Sequence, residues 1–436
     1  ASVESEAVYH PICATTGELL ASVLTHCPVR RSPPPCPTST ALSAPTASTR
    51  TNLQALRNAA RKETRALAEE RARHPFDDIA TAPIDYLPKA WSQPDGTLQD
   101  TVYEAYDLQA IRIDGAAEHP TALVQSTAMA SVPPPVPTYR PILPKNLVQD
   151  GLLSAPQLES VIYAGNAHET HLKGWFKRGE IEGQLMAAAE GDEGAFRLRK
   201  GWFLGDGTGC GKGRQVAGII LDNWLKGRRR AVWVSKSDKL IEDARRDWMA
   251  LGGRESDIVP LSKFRQGSDF RLPEGILFVT YATLRSAERE GKASRLDQVT
   301  SWLGEGFDGV IAFDESHAMA NAAGEKSDRG DRRASQQGLA GLALQNAVPD
   351  ARVLYVSATG ATVVGNLAYA SRLGLWGTGD FPFVTRAEFV AAMEAGGIAA
   401  MEMISRDLKA LGLYLARSLS YAGVEYEMLV HELTPA

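Results

Sequence analysis

The sequence is poor in cysteine, with four in 436 residues, and that is too few for a disulfide framework in a chain of this size. Cys13, Cys27 and Cys36 lie near the N-terminus and Cys210 lies in a glycine-rich stretch. His10-x-x-Cys13 with Cys27 and Cys36 is the one candidate metal set. Without a Cys-x-x-Cys pair, these residues read as unpaired, reduced thiols. Long apolar runs are missing as well. None approaches the ~20 residues a membrane helix needs, and no basic-then-apolar leader pattern opens the chain. A cytoplasmic protein with no membrane partner is expected. Net positive charge is also lacking: the formal charge is -5. That excludes a bulk polyanion binder, so any nucleic-acid contact has to come from a local basic surface. What remains, 44% hydrophobic and 23% charged residues, is the composition of an ordinary globular chain with room for two or three domains.

Along the chain, residues 1–50 are rich in Pro, Ser, Thr and Ala and are expected to be disordered. Residues 51–130 read as an accessory region: a helix from Asn52 to Arg73, stopped by Pro75, then short β-like runs such as Ala110–Asp114. Val132-Pro-Pro-Pro-Val-Pro137 predicts a stiff, extended linker over 131–150. From 151 to 436 five continuous apolar runs follow: Trp202–Gly205, Ala231–Ser235, Ile276–Thr280, Gly309–Phe313 and Val353–Ser357. Continuous rather than alternating apolar strands are those covered on both faces. Helical stretches separate them, among them Arg214–Lys226 and Lys239–Ala250. The prediction is an α/β fold, a doubly wound parallel sheet of the RecA-like P-loop type.

The chemistry starts at Asp206-Gly-Thr-Gly-Cys-Gly-Lys-Gly213, between a strand and a helix. Gly207, Gly209 and Gly211 allow backbone N–H groups to turn inward around a phosphate. The helix start adds positive potential, and Lys212 can reach the β- and γ-phosphates. Thr208, Cys210 and Arg214 complete the expected cradle. Asp206 stands where the general pattern has Gly. Gly213 stands where it has Ser or Thr, which removes the hydroxyl that usually ligates Mg²⁺. Asp314-Glu-Ser-His317 ends an apolar strand about a hundred residues later. There Asp314 is the candidate Mg²⁺ ligand and Glu315 the candidate general base. Ser357-Ala-Thr359 ends the next strand in the same way; in a helicase lobe such a triplet links the nucleotide site to the nucleic-acid face. Lys236, Ser237, Tyr281 and Thr283 end two further strands and are candidate nucleic-acid contacts. For Ser237 a helix cap, and for Tyr281 a core aromatic, are the competing readings. The polar insertion Asn321–Gly338 reads as a mobile loop that proteases cut first.

The order of these motifs resembles the strawberry notch family of superfamily 2 helicase-like ATPases. The resemblance rests on Gly205–Gln215 with its Gly-Lys-Gly-Arg turn, Leu153–Glu159 followed by Ile162-Tyr-Ala-Gly165, Val234–Leu240, Asp314–His317 and Tyr355–Gly360. It covers roughly residues 130 to 430, and the N-terminal part matches the family's bacterial branch loosely. The resemblance implies that Gln157 helps recognise adenine, and that His317, Ser357 and Thr359 couple the nucleotide state to movement. It implies ATP and Mg²⁺ as cofactors, DNA or RNA as partner, and a second RecA-like lobe supplying arginine fingers. No second strand–helix series is legible before Ala436, so the chain reads as one half of such an enzyme, with weak turnover alone. Two other readings compete. One is a nucleotide-gated protein-interaction module in transcription regulation. The other is a non-helicase P-loop enzyme such as a kinase, which accounts for neither Ser357–Thr359 nor the Asp-Glu-Ser-His box.

Overall fold

The five apolar runs carry β-branched or aromatic side chains at most positions, and all five become fully buried strands. A computed structural model describes residues 73–92, 102–179, 185–286, 293–320, 335–358, 367–378 and 380–421. All of them belong to one compact unit that begins at Arg73. The segment 1–50, the helix expected from Asn52 (all but Arg73), the His10/Cys13/Cys27/Cys36 set, Thr359 and most of Asn321–Gly338 lie outside the described residues.

The accessory strands come first. β1 (Thr81–Pro83), β2 (Leu87–Pro88), β3 (Tyr103–Ala105), β4 (Ile111–Arg112), β5 (Leu123–Ser126) and β6 (Ile142–Pro144) form short antiparallel pieces: β1 with β6, β2 with β4, β3 with β5. Helices α1 (Thr127–Ala130) and α2 (Lys145–Gln149) punctuate them. The proline stretch runs without helix or strand, and two of its carbonyls accept from tyrosines. Tyr163 donates its hydroxyl to Pro135 O at 2.8 Å and Tyr86 donates to Pro137 O at 2.9 Å.

Helix α3 (Ala155–His168) opens with Ser154 as N-cap and Pro156 in its first turn. A three-stranded antiparallel sheet follows, β7 (His171–Arg178), β8 (Leu185–Ala188) and β9 (Phe196–Arg199), in the order β8–β7–β9. The sequence reading did not anticipate it, because β7 and β9 are polar and basic and the apolar β8 is only four residues long.

The central sheet has seven parallel strands: β10 (Trp202–Leu204), β11 (Arg230–Ser235), β12 (Ile258–Pro260), β13 (Gly275–Thr280), β14 (Val310–Phe313), β15 (Arg352–Val356) and β16 (Tyr414–Leu415). Their order is β12–β13–β11–β14–β15–β10–β16. Between them run α4 (Lys212–Leu225), α5 (Ile241–Met249), α6 (Tyr281–Leu284), α7 (Arg295–Leu303), α8 (Gln336–Ala347) and α9 (Arg386–Ala410). The chain steps one way along the sheet through α4 and α5 and the other way through α7 and α8. Right-handed crossovers therefore put the two groups on opposite faces. Accordingly α3, α4 and α5 pack on one another, and α6, α7 and α8 do the same. The doubly wound parallel sheet expected from the sequence is what forms. A short strand, β17 (Ser418–Leu419), leaves this sheet and pairs with β5 instead. No helix among the described residues is long and apolar enough to cross a membrane.

Local chemistry sets the helix ends. Helix α4 begins two residues earlier than its apolar pattern suggests, because Gly211 takes a left-handed conformation (φ 76°) that starts the helix at Lys212. Residues 238–250 split into a 3₁₀ turn, Asp238–Leu240, and α5. Beyond α5, a Cβ on Gly253 would lie 2.0 Å from the Trp248 indole nitrogen, so only glycine fits there.

Candidate nucleotide site

Strands β10, β14 and β15 are neighbours, so the loops at their C-terminal ends meet at one rim. That brings the Asp206–Gly213 loop, the Asp314–His317 turn and Ser357 together; Ser357 N donates to Leu204 O at 3.0 Å. Thr359 lies outside the described residues.

The loop's first half is locked from below. Asp206 is buried. Its carboxylate accepts from Gln215 Nε2 at 2.9 Å and from Arg417 at both Nε (2.9 Å) and an Nη (2.8 Å). A planar guanidinium gripping a carboxylate through two N–H groups gives geometry as well as charge. Burial disfavours the Arg417 cation, but Asp206, Tyr106 and Glu159 outweigh it and hold the guanidinium above its usual range. Arg417 escaped the sequence reading because a lone arginine after a two-residue strand reads as a surface charge.

Thr208 and Gly209 are exposed at the loop's crest, where an arriving phosphate would sit. Lys212 donates to Gly207 O at 3.1 Å, so its ammonium lies folded over its own loop. Cys210 is buried, and burial pushes its thiol up to about 11, so it is an inert packing residue. Gln157 on α3 uses both ends of its amide: Oε1 accepts from Ser154 N at 3.0 Å and Nε2 donates to Cys210 O at 3.4 Å. A Cβ on Gly211 would lie 2.4 Å from that Nε2.

Gly213 packs against α5. A Cβ there would stand 2.2 Å from Asp247 Oδ2 on α5. The space a serine or threonine side chain would fill is taken by this carboxylate, which also lies 3.5 Å from Arg214 Nε. Arg214 in turn donates to Leu152 O at 3.1 Å and so ties the segment before α3 to α5. Nothing in the local sequence around Gly213 points to Asp247, which is 34 residues away.

The acidic turn is held differently. Asp314 accepts from Ser235 Oγ at 3.0 Å and from Glu315 N at 3.0 Å. Burial, then the adjacent Glu315 charge, push its carboxyl up to about 6. Glu315 is the one non-glycine residue with positive φ (49°) among those described, a conformation that costs energy and persists at functional turns. Its Oε2 lies 3.2 Å from His317 Nδ1, which is 3.3 Å from Ser357 Oγ. Two carboxylates at a strand tip, flanked by hydroxyls, are hard oxygen donors short of positive charge, and that donor set suits Mg²⁺ with water and phosphate oxygens filling the remainder. Among the described residues no group of three or more His, Cys, Asp or Glu side chains makes a ready metal cage.

The candidate nucleic-acid contacts divide. Lys236 is exposed at the end of β11. Ser237 caps the following turn, accepting from Lys239 N at 3.3 Å. Thr283 is half-buried, with its hydroxyl 2.8 Å from Thr280 Oγ1. Tyr281 is only 1% exposed, stacks on Phe313, and donates its hydroxyl to Asp314 O at 2.9 Å. Its ring is therefore a brace under the acidic turn and not part of the rim's surface.

The family model described as P-loop containing NTP hydrolase pore-1 matches residues 118–436. Strawberry notch homolog 1 of Gallus gallus is 38% identical over 329 residues, 74% of this chain and 24% of that protein. Strawberry notch homolog 2 of Mus musculus is 41% identical over 73% of this chain and 21% of its own length. FORGETTER 1 of Arabidopsis thaliana is 37% identical over 74% of this chain and 23% of its own. The matched stretch is thus about a quarter of each curated relative. Among solved structures, the Sulfolobus solfataricus SWI2/SNF2 ATPase core in complex with dsDNA matches 50% of this chain and 40% of its own at 15% identity, with a TM-score of 0.34.

Proposed function

We propose a function on one established premise: this chain belongs to the strawberry notch family, and its P-loop NTP hydrolase domain covers residues 118–436. The domain binds ATP with Mg²⁺ and hydrolyses it as the first lobe of a helicase-like, nucleic-acid-dependent ATPase that remodels DNA or RNA inside the cell. The observation that carries this reading is the meeting of the Lys212 loop, the Asp314-Glu315 turn and Ser357 at one sheet rim.

In this reading Lys212 leaves Gly207 O for the β- and γ-phosphates, and the N-terminal end of α4 faces the same charge. Gln157, bonded to Cys210 O, helps recognise adenine, and Arg214 sits beside the phosphates. Asp314 would hold Mg²⁺, which supplies charge neutralisation at the phosphates. Glu315 takes the proton of the attacking water, from a turn where its backbone is held in the left-handed region. His317 bridges Glu315 and Ser357, so a change at the γ-phosphate reaches β15 and, beyond it, Thr359. Lys236, Ser237 and Thr283 form the rim's nucleic-acid contact. A second RecA-like lobe supplies the arginine that raises turnover, by ~10³-fold or more.

The test is ATP hydrolysis by the full-length protein with and without DNA or RNA. Stimulation by nucleic acid supports the proposal. ATP turnover indifferent to every nucleic acid would leave the nucleotide-gated interaction module in its place, a reading that Gly213 and the net charge of -5 both permit.

A further inference from the structure

We infer that Arg417 is a positioning residue that couples the phosphate loop to the small β3–β5–β17 sheet, so that nucleotide on the loop is felt by residues 102–126. This rests on the proposed nucleotide site and assigns a role to an accessory region that nothing else explains.

The phosphate loop is laid along residues 414–419 almost as an added strand. Gly205 N donates to Leu415 O at 2.7 Å, and Gly207 N to Arg417 O at 2.6 Å. Side chains from the same segment press on the loop's glycines. A Cβ on Gly205 would be 2.5 Å from the Tyr414 hydroxyl, one on Gly207 3.1 Å from Ser418 Oγ, and one on Gly209 2.5 Å from Leu419 Cδ1. Any movement of the loop therefore meets 414–419 at three successive points.

Arg417 joins this contact to two other elements. Besides Asp206 and Gln215, its guanidinium reaches Pro156 O, Ser160 Oγ (2.6 Å) and Glu159 Oε2 (3.2 Å) on α3. Tyr106, just past β3, donates its hydroxyl to the same Glu159 oxygen, and its ring centre lies 5.3 Å from the guanidinium carbon. The next two residues make β17, pairing Ser418 with Val124 and Leu419 with Leu123, and Ser420 N donates to Ala122 O at 2.8 Å. One buried side chain thus touches the loop, the helix bearing Gln157 and the accessory region, while its neighbours bond to both loop and sheet. Buried charge of this kind is costly unless fully paired, so its partners shift together or not at all. A purely structural anchor would need no link to the loop's crest, yet Leu419 sits against Gly209 there.

The experiment is amide hydrogen exchange of this chain, with and without Mg-ATP, read at residues 122–126 and 418–420, together with calorimetric ATP affinity. Wild type, Tyr106→Phe, Arg417→Lys and Lys212→Ala are compared. ATP is expected to slow exchange at both segments in the wild type. Tyr106→Phe keeps the ring and the fold, loses the bond to Glu159, and should abolish the protection at 122–126 while weakening ATP about three- to tenfold. Arg417→Lys loses the two-pronged grip on Asp206 and should weaken ATP further. The inference is overturned if the wild type binds ATP without protecting these segments, or if both folded variants bind and respond as the wild type does. A wild type that binds no more ATP than Lys212→Ala overturns the nucleotide site itself and this inference with it.

Discussion

The phosphate loop and the acidic turn share one rim but are built on opposite principles. The loop is held by sealed charge: Asp206, Arg417 and Glu159 are each no more than 1% exposed, and Arg417 bonds to both carboxylates. The Asp314–His317 turn is half-buried, contains a carboxyl pushed up to about 6, and rests on a left-handed Glu315 and a histidine about 3.2 Å from two neighbours. One region is preorganised before any ligand arrives. The other is left short of positive charge, which a bound cation would supply. The difference teaches where rigidity and where responsiveness are placed in this nucleotide site.

The largest way to break the contrast is to remove the sealed charge. Arg417→Ala leaves Asp206 and Glu159 buried without a counter-ion and should cost about 3–5 kcal/mol of stability, read by chemical denaturation. Wild-type stability in that variant would mean that the loop is not held as described. On the responsive side, Glu315→Gln should bind ATP normally while turnover falls by about 10²–10⁴-fold, measured by phosphate release. Unchanged turnover would take the general base away from Glu315.

A smaller effect is expected at the border between the two regions. Gly213→Ser drives a side chain into Asp247 and should cost about 1–3 kcal/mol of stability. Adding Asp247→Ala should return most of it, and strict additivity of the two changes would show that they do not meet.

The smallest prediction concerns pH. Asp314 has its folded pKa raised, to about 6, so its ionisation disfavours the folded, metal-free state as pH rises through 6. Mg²⁺ needs the ionised form. Its affinity should therefore fall as pH drops below about 6, by up to about tenfold per unit, and Asp314→Asn should lose that dependence. A flat profile in the wild type would place the metal elsewhere.

Much of this was legible in the sequence, and for identifiable reasons. Strands covered on both faces must be continuously apolar, so β11, β13, β14 and β15 announce themselves. A glycine-rich turn ending in lysine between a strand and a helix has few other uses. The rest depended on chain segments meeting from a distance. Arg417 looks like a surface charge until β16 carries it beneath the loop. Gly213 looks like a lost ligand until Asp247 is seen beside it, and Tyr281 reads equally as a rim residue or a core aromatic until its ring is found under Asp314. The β8–β7–β9 sheet has strands too polar or too short to stand out. Burial of charge is a property of the partner, and the partner is not local.

The central claim is that the Asp206–Gly213 loop is a working phosphate cradle despite lacking the usual hydroxyl. Calorimetry of Mg-ATP binding to this chain, wild type against Lys212→Ala, tests it most directly. The account predicts saturable binding by the wild type and its loss in the variant. No binding by the wild type, or equal binding by both, would contradict it.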